Sequence, residues 1–408
     1  MPLTETPAVT PTAEWSGERA APAVKLGWIA VMIAVAGLNL RPLLTSLGVS
    51  LEAVRLDLGL SSSAAGMLAA VPTFCMGVVA LVGGWLIGRL GIGPGMRIAL
   101  WLVALGCAGR WVGLHPGVMF AATLVGGFGI ACGQVLIPIV IKQYFPARAA
   151  LMMGVFTTAM NLGAAIGAAS TPSLMNGAGG DWRLALGIWA LPALLAALLW
   201  PVRLERARGD DVRALPWADA RAWRMALFLG TGSIAYMSLL AWLVPFYVAQ
   251  GHSQAEGAAL LTVFTGAQIA GALLIPPLTG FWRDRRPALA VTLLLLMVGV
   301  AGFWWSPGAG GVMWAVIAGV GLGGSFPLAL TLPLDYASTP AEAGRLSALV
   351  QGLAMLMGAL GPLVFGVLRD SFGFPAAMLF LLLSVVLSFL LGLTFRPPPI
   401  KAFEEDTR

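Results

Sequence analysis

The chain has 408 residues, of which 59% are hydrophobic and only 10% charged, and its mean hydropathy is +0.88. A soluble domain carries about 25% charged residues to clothe its surface, so this composition excludes a soluble globular protein and makes lipid the solvent. Twenty-four Lys and Arg against 18 Asp and Glu give a net charge of +6, but the bases sit in short loops between apolar runs, which excludes a nucleic-acid partner and follows the distribution of bases in membrane proteins.

Residues 1–24 are rich in Pro, Thr, Ala and Glu and contain no apolar core of the kind a signal peptide needs; they read as a disordered cytoplasmic tail. From there, a membrane-crossing helix of roughly 20 apolar residues fits twelve times, with cores near 26–50, 62–86, 97–114, 117–141, 149–171, 182–201, 222–248, 255–279, 287–305, 310–334, 343–367 and 373–395. The longest polar stretch inside the chain, 203–224, follows the sixth of these. The expected organisation is a six-helix bundle over 25–202, a cytoplasmic linker over 203–221, a second six-helix bundle over 222–396 and a cytoplasmic tail over 397–408. The fold class is thus an all-α polytopic membrane protein, twelve transmembrane helices in two six-helix pseudo-repeats. Its 52 glycines, often in small-residue spacings such as Gly163 and Gly167, let helices approach closely in lipid.

Orientation follows from the bases. With both termini inside, the inner segments hold Lys25, Arg89, Arg97, Lys142, Arg148 and most later bases, while the outer side holds only Arg55, Arg110, Arg183 and Arg369. That asymmetry predicts cytoplasmic termini in an inner membrane. The two halves also repeat. Gly84-Trp-Leu-Ile-Gly-Arg89 follows span two and Gly280-Phe-Trp-Arg-Asp-Arg285 follows span eight, while Gly133-Gln-Val-Leu-Ile-Pro138 in span four is echoed by Gly323-Gly-Ser-Phe-Pro327 in span ten. Repeats of this kind mark secondary transporters, with substrate near the midplane between them.

The Gly-x-x-x-Asp-Arg loop ending in Asp284 and Arg285, with its degenerate copy after span two, resembles the signature loop of the major facilitator superfamily. Within that superfamily, four segments resemble the cyanate and 2-nitroimidazole porter family. They are Asn39-Leu-Arg-Pro42; Leu136-Ile-Pro138 followed by Lys142-Gln-Tyr-Phe-Pro146; Trp242-Leu-Val-Pro245; and Leu346-Ser-Ala-Leu-Val-Gln351 followed by Gly361-Pro362. The resemblance spans residues 26 to 395 and implies the twelve-helix fold, alternating access and a small anionic substrate. The first loop departs from the pattern: Gly88 stands where the superfamily has an Asp.

Arg41 is the most informative residue. It lies about fifteen residues into span one, roughly 22 Å from the inner end at 1.5 Å per residue. An arginine cannot deprotonate to escape a low dielectric, and a charge at that depth is costly, so it must face a watery cavity or a partner. Glu52, Asp57 and Asp335 all fall near span ends, and no acid lies mid-span. Two readings stand: an anion-binding arginine whose counter-ion is the substrate, or an arginine satisfied by carbonyls and amides. Pro42 frees the carbonyl of Leu38 from its helical bond, and Asn39 is adjacent. Asn161, Tyr236, Trp242, Gln268 and Gln351 are the further mid-span candidates to line a substrate cavity; each alone is as compatible with interhelical hydrogen bonding. Arg110, near the outer end of span three, reads as interfacial or part of an outer gate.

A second constellation, Arg89, Asp284, Arg285, Arg286 and Asp335, lies at the inner ends of the spans. Asp335 is placed to pair with Arg285 or Arg286, and the superfamily resemblance implies a gate that holds the inner face shut; solvated loop charge is the alternative. Cys75, Cys107 and Cys132 lie singly in apolar runs, so neither a disulfide framework nor a metal site is read, and no cofactor is expected. The overall expectation is a monomeric, non-enzymatic transporter in the lipid bilayer, moving a small anionic or weakly acidic solute, cyanate-like or a small organic anion. A polyspecific drug or nitroheterocycle exporter of the same fold is the alternative.

Overall fold

The computed structural model describes residues 23–201, 215–279, 284–337 and 339–395. The expected tails (apart from residues 23 and 24) and linker residues 203–214 lie outside the described residues. Every regular element among those described is helical. Span one comprises α1 (Ala23–Leu40) and α2 (Pro42–Asp57), because Pro42 opens a new helix at its first position, where a missing N–H is harmless. Then come α3 (Ser62–Leu90), α4 (Ile92–Trp111), α5 (Pro116–Tyr144), a 3-10 turn at Pro146–Arg148 and α6 (Ala149–Gly177). Span six is also split, into α7 (Trp182–Gly187) and α8 (Ala190–Leu199).

The second half runs through α9 (Ala220–Ala249), α10 (Gln254–Thr279), α11 (Arg286–Trp305) and α12 (Pro307–Tyr336). The last element, α13 (Pro340–Gly392), is 53 residues long, but Gly373 within it has φ +78°. That backbone region favours glycine and divides α13 into spans eleven and twelve. Several helices start where the sequence supplies a cap: Asp219 accepts from the Arg221 amide, Asp181 from Arg183, and Thr339 from Glu342. Helix α4 starts at Ile92 rather than 97, immediately after Gly91 turns the chain at φ +73°.

The first six spans pack largely on one another, chiefly α4 on α5 and α1 and α2 on α6; in the last six, α12 packs on α10 and α11, and α9 on α13. The halves meet through α3 with α13, α6 with α10, and α2 with α9. Spans two and eleven, and five and eight, are therefore the lateral seams. Adding six to a span number in the first half and subtracting six in the second interchanges these two pairs, as a pseudo-two-fold relation between the repeats requires. Residues 23 and 395 lie at one end of the bundle, called the near end below; the opposite end is the far end.

Candidate functional site

The break between α1 and α2 sets the position of Arg41. Its φ of −108° and ψ of −28° fall outside ideal helix, and its carbonyl already accepts from the Leu44 and Thr45 amides at 3.0 and 3.2 Å. Helix α6 presses small residues on this break. A Cβ on Gly163 would collide with the Leu38 carbonyl, the acceptor freed by Pro42, and one on Gly167 would lie 3.0 Å from the Pro42 Cα and 2.5 Å from the Thr45 hydroxyl. The kink is thus held from behind by a glycine face, and the arginine points across the interface between halves.

There, the Arg41 Nη1 donates to the Tyr236 hydroxyl of α9, and its guanidinium carbon lies 5.6 Å from the tyrosine ring centroid. The Arg41 Nε is buried without a hydrogen-bond partner. None of the ion pairs among the described residues includes Arg41, and the fully buried polar residues include no Asp, Glu or His. The result is a half-buried cation with donor capacity to spare, in surroundings that supply no negative charge. A small anion is the species that would complete it.

The other predicted site residues are placed variously. Asn39 is buried and its amide donates back to the Val35 carbonyl at 2.8 Å. Asn161 is half-buried on α6, two residues before Gly163. Gln268 is only 8% exposed, and its amide nitrogen has no partner, an unusual state for a buried amide. Trp242 is fully buried, with its indole N–H donating to the Pro362 carbonyl at 3.0 Å and its ring stacked on Phe365 at 5.4 Å. Gln351 is exposed on α13. No hydrogen bond or ring contact joins Asn161, Trp242, Gln268 or Gln351 to the Arg41–Tyr236 pair.

At the near end, Arg285 pairs with Asp335 at 2.6 Å and ties the start of α11 to the end of α12. Asp284 pairs with Arg286 at 2.7 Å and accepts from its amide at 3.0 Å; that hydrogen bonding holds the Asp284 carboxyl below its usual range. Both pairs lie within the second half, the latter locally at the start of α11. The side chain of Arg89 lies outside the described residues.

The far end holds a cluster that the sequence reading did not assemble. Glu52 of α2 accepts both Arg369 Nη atoms of α13, at 2.9 and 3.1 Å, and is braced by Arg55 at 2.6 Å. Next to Arg369, Asp370 accepts from the amides of Ser62 and Ser63 at 3.0 and 2.7 Å and from the Ser63 hydroxyl at 2.5 Å. A carboxylate there meets the positive end of α3. The Gln254 amide donates to the Val49 carbonyl at 2.9 Å, and Gly48 and Gly66 admit the backbone of Leu240 and Pro362 without room for a Cβ. Among the described residues, hydrogen bonds between the halves occur at the far end or midway along the bundle, and none at the near end.

Arg110 departs from its sequence reading. It is fully buried rather than interfacial, because its side chain turns inward onto the Leu43 carbonyl and the Thr123 hydroxyl. A cavity of about 770 Å³ lies at the seam of α3 with α13, lined by apolar side chains such as Phe74, Leu227, Leu356 and Leu360 together with Arg224. None of the predicted substrate residues lines it.

Comparison with known proteins agrees with this architecture. Residues 27–362 match the Major Facilitator Superfamily. The cyanate transport protein CynX of Escherichia coli is 38% identical over 348 residues, covering 84% of this chain and 90% of that protein. The 2-nitroimidazole transporter of the same organism is 31% identical, covering 74% and 78%. The xylose transporter XylE from E. coli in an inward open conformation superposes with a TM-score of 0.77 at 14% identity, over 92% of this chain and 98% of that one.

Proposed function

The chain belongs to the major facilitator superfamily of transporters, and on that premise we propose that it carries a small monovalent anion or weak acid, with Arg41 as the cation that binds it. The observation that carries this reading is Arg41 itself: a permanent charge at a helix break between the two halves, bonded to a neutral tyrosine, with one nitrogen unpartnered and no acid near it. An arginine fork grips a carboxylate through two parallel N–H bonds and can converge two N–H groups on one end of a linear anion such as cyanate. The similarity to the cyanate transport protein supports a substrate of that size and charge.

In this reading the near end, rich in bases, faces the cytoplasm of an inner-membrane protein. The Glu52–Arg369 and Asp370–Ser62 contacts then form an external latch, and the bound anion exchanges with the cytoplasm in the conformation described. Release to the other side requires that latch to open while the near ends of the halves come together. The pairs Arg285–Asp335 and Asp284–Arg286 stiffen the near end of the second half for that movement.

A second reading, export of nitroheterocycles, draws on the similarity to the 2-nitroimidazole transporter. A nitro group presents the same planar pair of oxygens as a carboxylate, with less charge. Thermal unfolding of purified protein with cyanate, acetate or 2-nitroimidazole separates the two. A ligand at 100 times its Kd stabilises the folded state by about 2.7 kcal/mol. Stabilisation by the anions in the wild type and not in Arg41→Ala supports the anion reading. Stabilisation by 2-nitroimidazole alone supports the second, and equal stabilisation of wild type and Arg41→Ala by the anions contradicts Arg41 as the binding residue.

A further inference from the structure

A second arginine converges on the same helix turn from the opposite side. Arg110, in the last turn of α4, has no solvent exposure. Its Nη1 donates to the Leu43 carbonyl at 2.7 Å, and its Nε and Nη2 donate to the Thr123 hydroxyl of α5 at 3.2 and 3.1 Å. Leu43 is two residues beyond Arg41, so the Arg110 guanidinium lies within roughly 10 Å of the Arg41 backbone at helical spacing. No acid pairs with it among the described residues. Two like charges therefore meet at the start of α2, one facing the interface between halves and one sealed behind it.

Tying three helices together does not require a charge. A neutral amide side chain could donate to a carbonyl and a hydroxyl without the cost of burying an ion. What a neutral group cannot supply is a field. We propose that Arg110 is a positioning and charge-selecting residue: it fixes the first turn of α2 through the Leu43 carbonyl, and its buried positive charge raises the preference of the Arg41 site for anions over neutral molecules of the same shape. This rests on the reading of Arg41 as the anion-binding residue. The substrate never touches Arg110; the effect passes through space and through α2.

The anion sits beyond the Arg41 guanidinium on the other side of the turn, roughly 15–20 Å from Arg110, and at an effective dielectric constant near 20 a charge at that range changes anion affinity by about fivefold. The test measures binding of acetate and of neutral acetamide to wild type, Arg110→Met, Arg110→Lys and Arg41→Ala, purified as full chains. The wild type is expected to favour acetate. In Arg110→Met that preference should fall about fivefold while acetamide affinity holds, and in Arg110→Lys, which keeps the charge but not the fork, most of the preference should return. A wild type with no anion preference, an unchanged preference in Arg110→Met, or equal loss of both probes overturns the proposal. If Arg110→Met fails to fold, Arg110→Lys decides: a folded lysine variant with the anion preference gone is contrary to a role for the charge. Failure of the Arg41 reading is distinct, because it leaves acetate affinity unchanged in Arg41→Ala.

Discussion

The role proposed for Arg41 rests on what surrounds it. Most hydrogen-bonded arginines among the described residues meet an acid: Arg55, Arg183, Arg221, Arg285, Arg286 and Arg369 all do. Arg41 meets Tyr236 instead. A phenol aims the guanidinium without neutralising it, so the charge stays available to a ligand. Hydrogen bonds to charged groups contribute about 1.5–3 kcal/mol, so Tyr236→Phe, which removes only the hydroxyl, is expected to raise the KM for the transported anion by about tenfold with the melting temperature little changed; an unaltered KM would mean that Tyr236 does not aim Arg41. Arg41 was legible in the sequence because arginine cannot shed its charge, so its presence in an apolar run already demanded an explanation. The environment of Trp242 was not legible. Its indole is as compatible with a cavity wall as with a buried stack, and only the Pro362 carbonyl of another helix settles which partner its N–H takes.

The informative elements are the broken span one and the long α13. Pro42 announced the first break, and the glycine spacing of Gly163 and Gly167 announced a close approach, although which helix they would meet was not readable. The Glu52–Arg369 contact was not readable at all, because its partners are 317 residues apart and each alone resembles an ordinary charge at a helix end. The latch joins α2 of one half to α13 of the other, and Asp370 adds the start of α3. Glu52 keeps its Arg55 partner when Arg369 is removed, so what is lost is the ion pair that joins the halves. Arg369→Ala is therefore expected to loosen the far end. A cysteine introduced at the buried Leu240, whose carbonyl packs on Gly48, should then react with an impermeant thiol reagent several-fold faster than in the latched protein. Unchanged labelling would mean that apolar packing alone closes that end.

At the scale of the molecule, composition and segment length sufficed for twelve spans, since lipid forces every backbone polar group into a helix, and the paired landmarks Gly84–Arg89 with Gly280–Arg285 carried the half-chain repeat. How the halves touch was beyond the sequence, because small-residue faces are common to nearly every span here. The buried polar residues described include no Asp, Glu or His; exchange, or a weak acid that brings its own proton, is the coupling compatible with the proposed site. The account depends most on Arg41 acting as the anion's counter-ion between the halves. Its most direct test is counterflow of labelled cyanate into proteoliposomes preloaded with unlabelled cyanate, comparing the wild type with Arg41→Ala and Arg41→Lys at equal reconstitution. The expected result is rapid exchange in the wild type, loss of at least about a hundredfold in Arg41→Ala as a charge-assisted contact disappears, and little recovery in Arg41→Lys, which lacks the planar fork. Exchange by Arg41→Ala at the wild-type rate would contradict it.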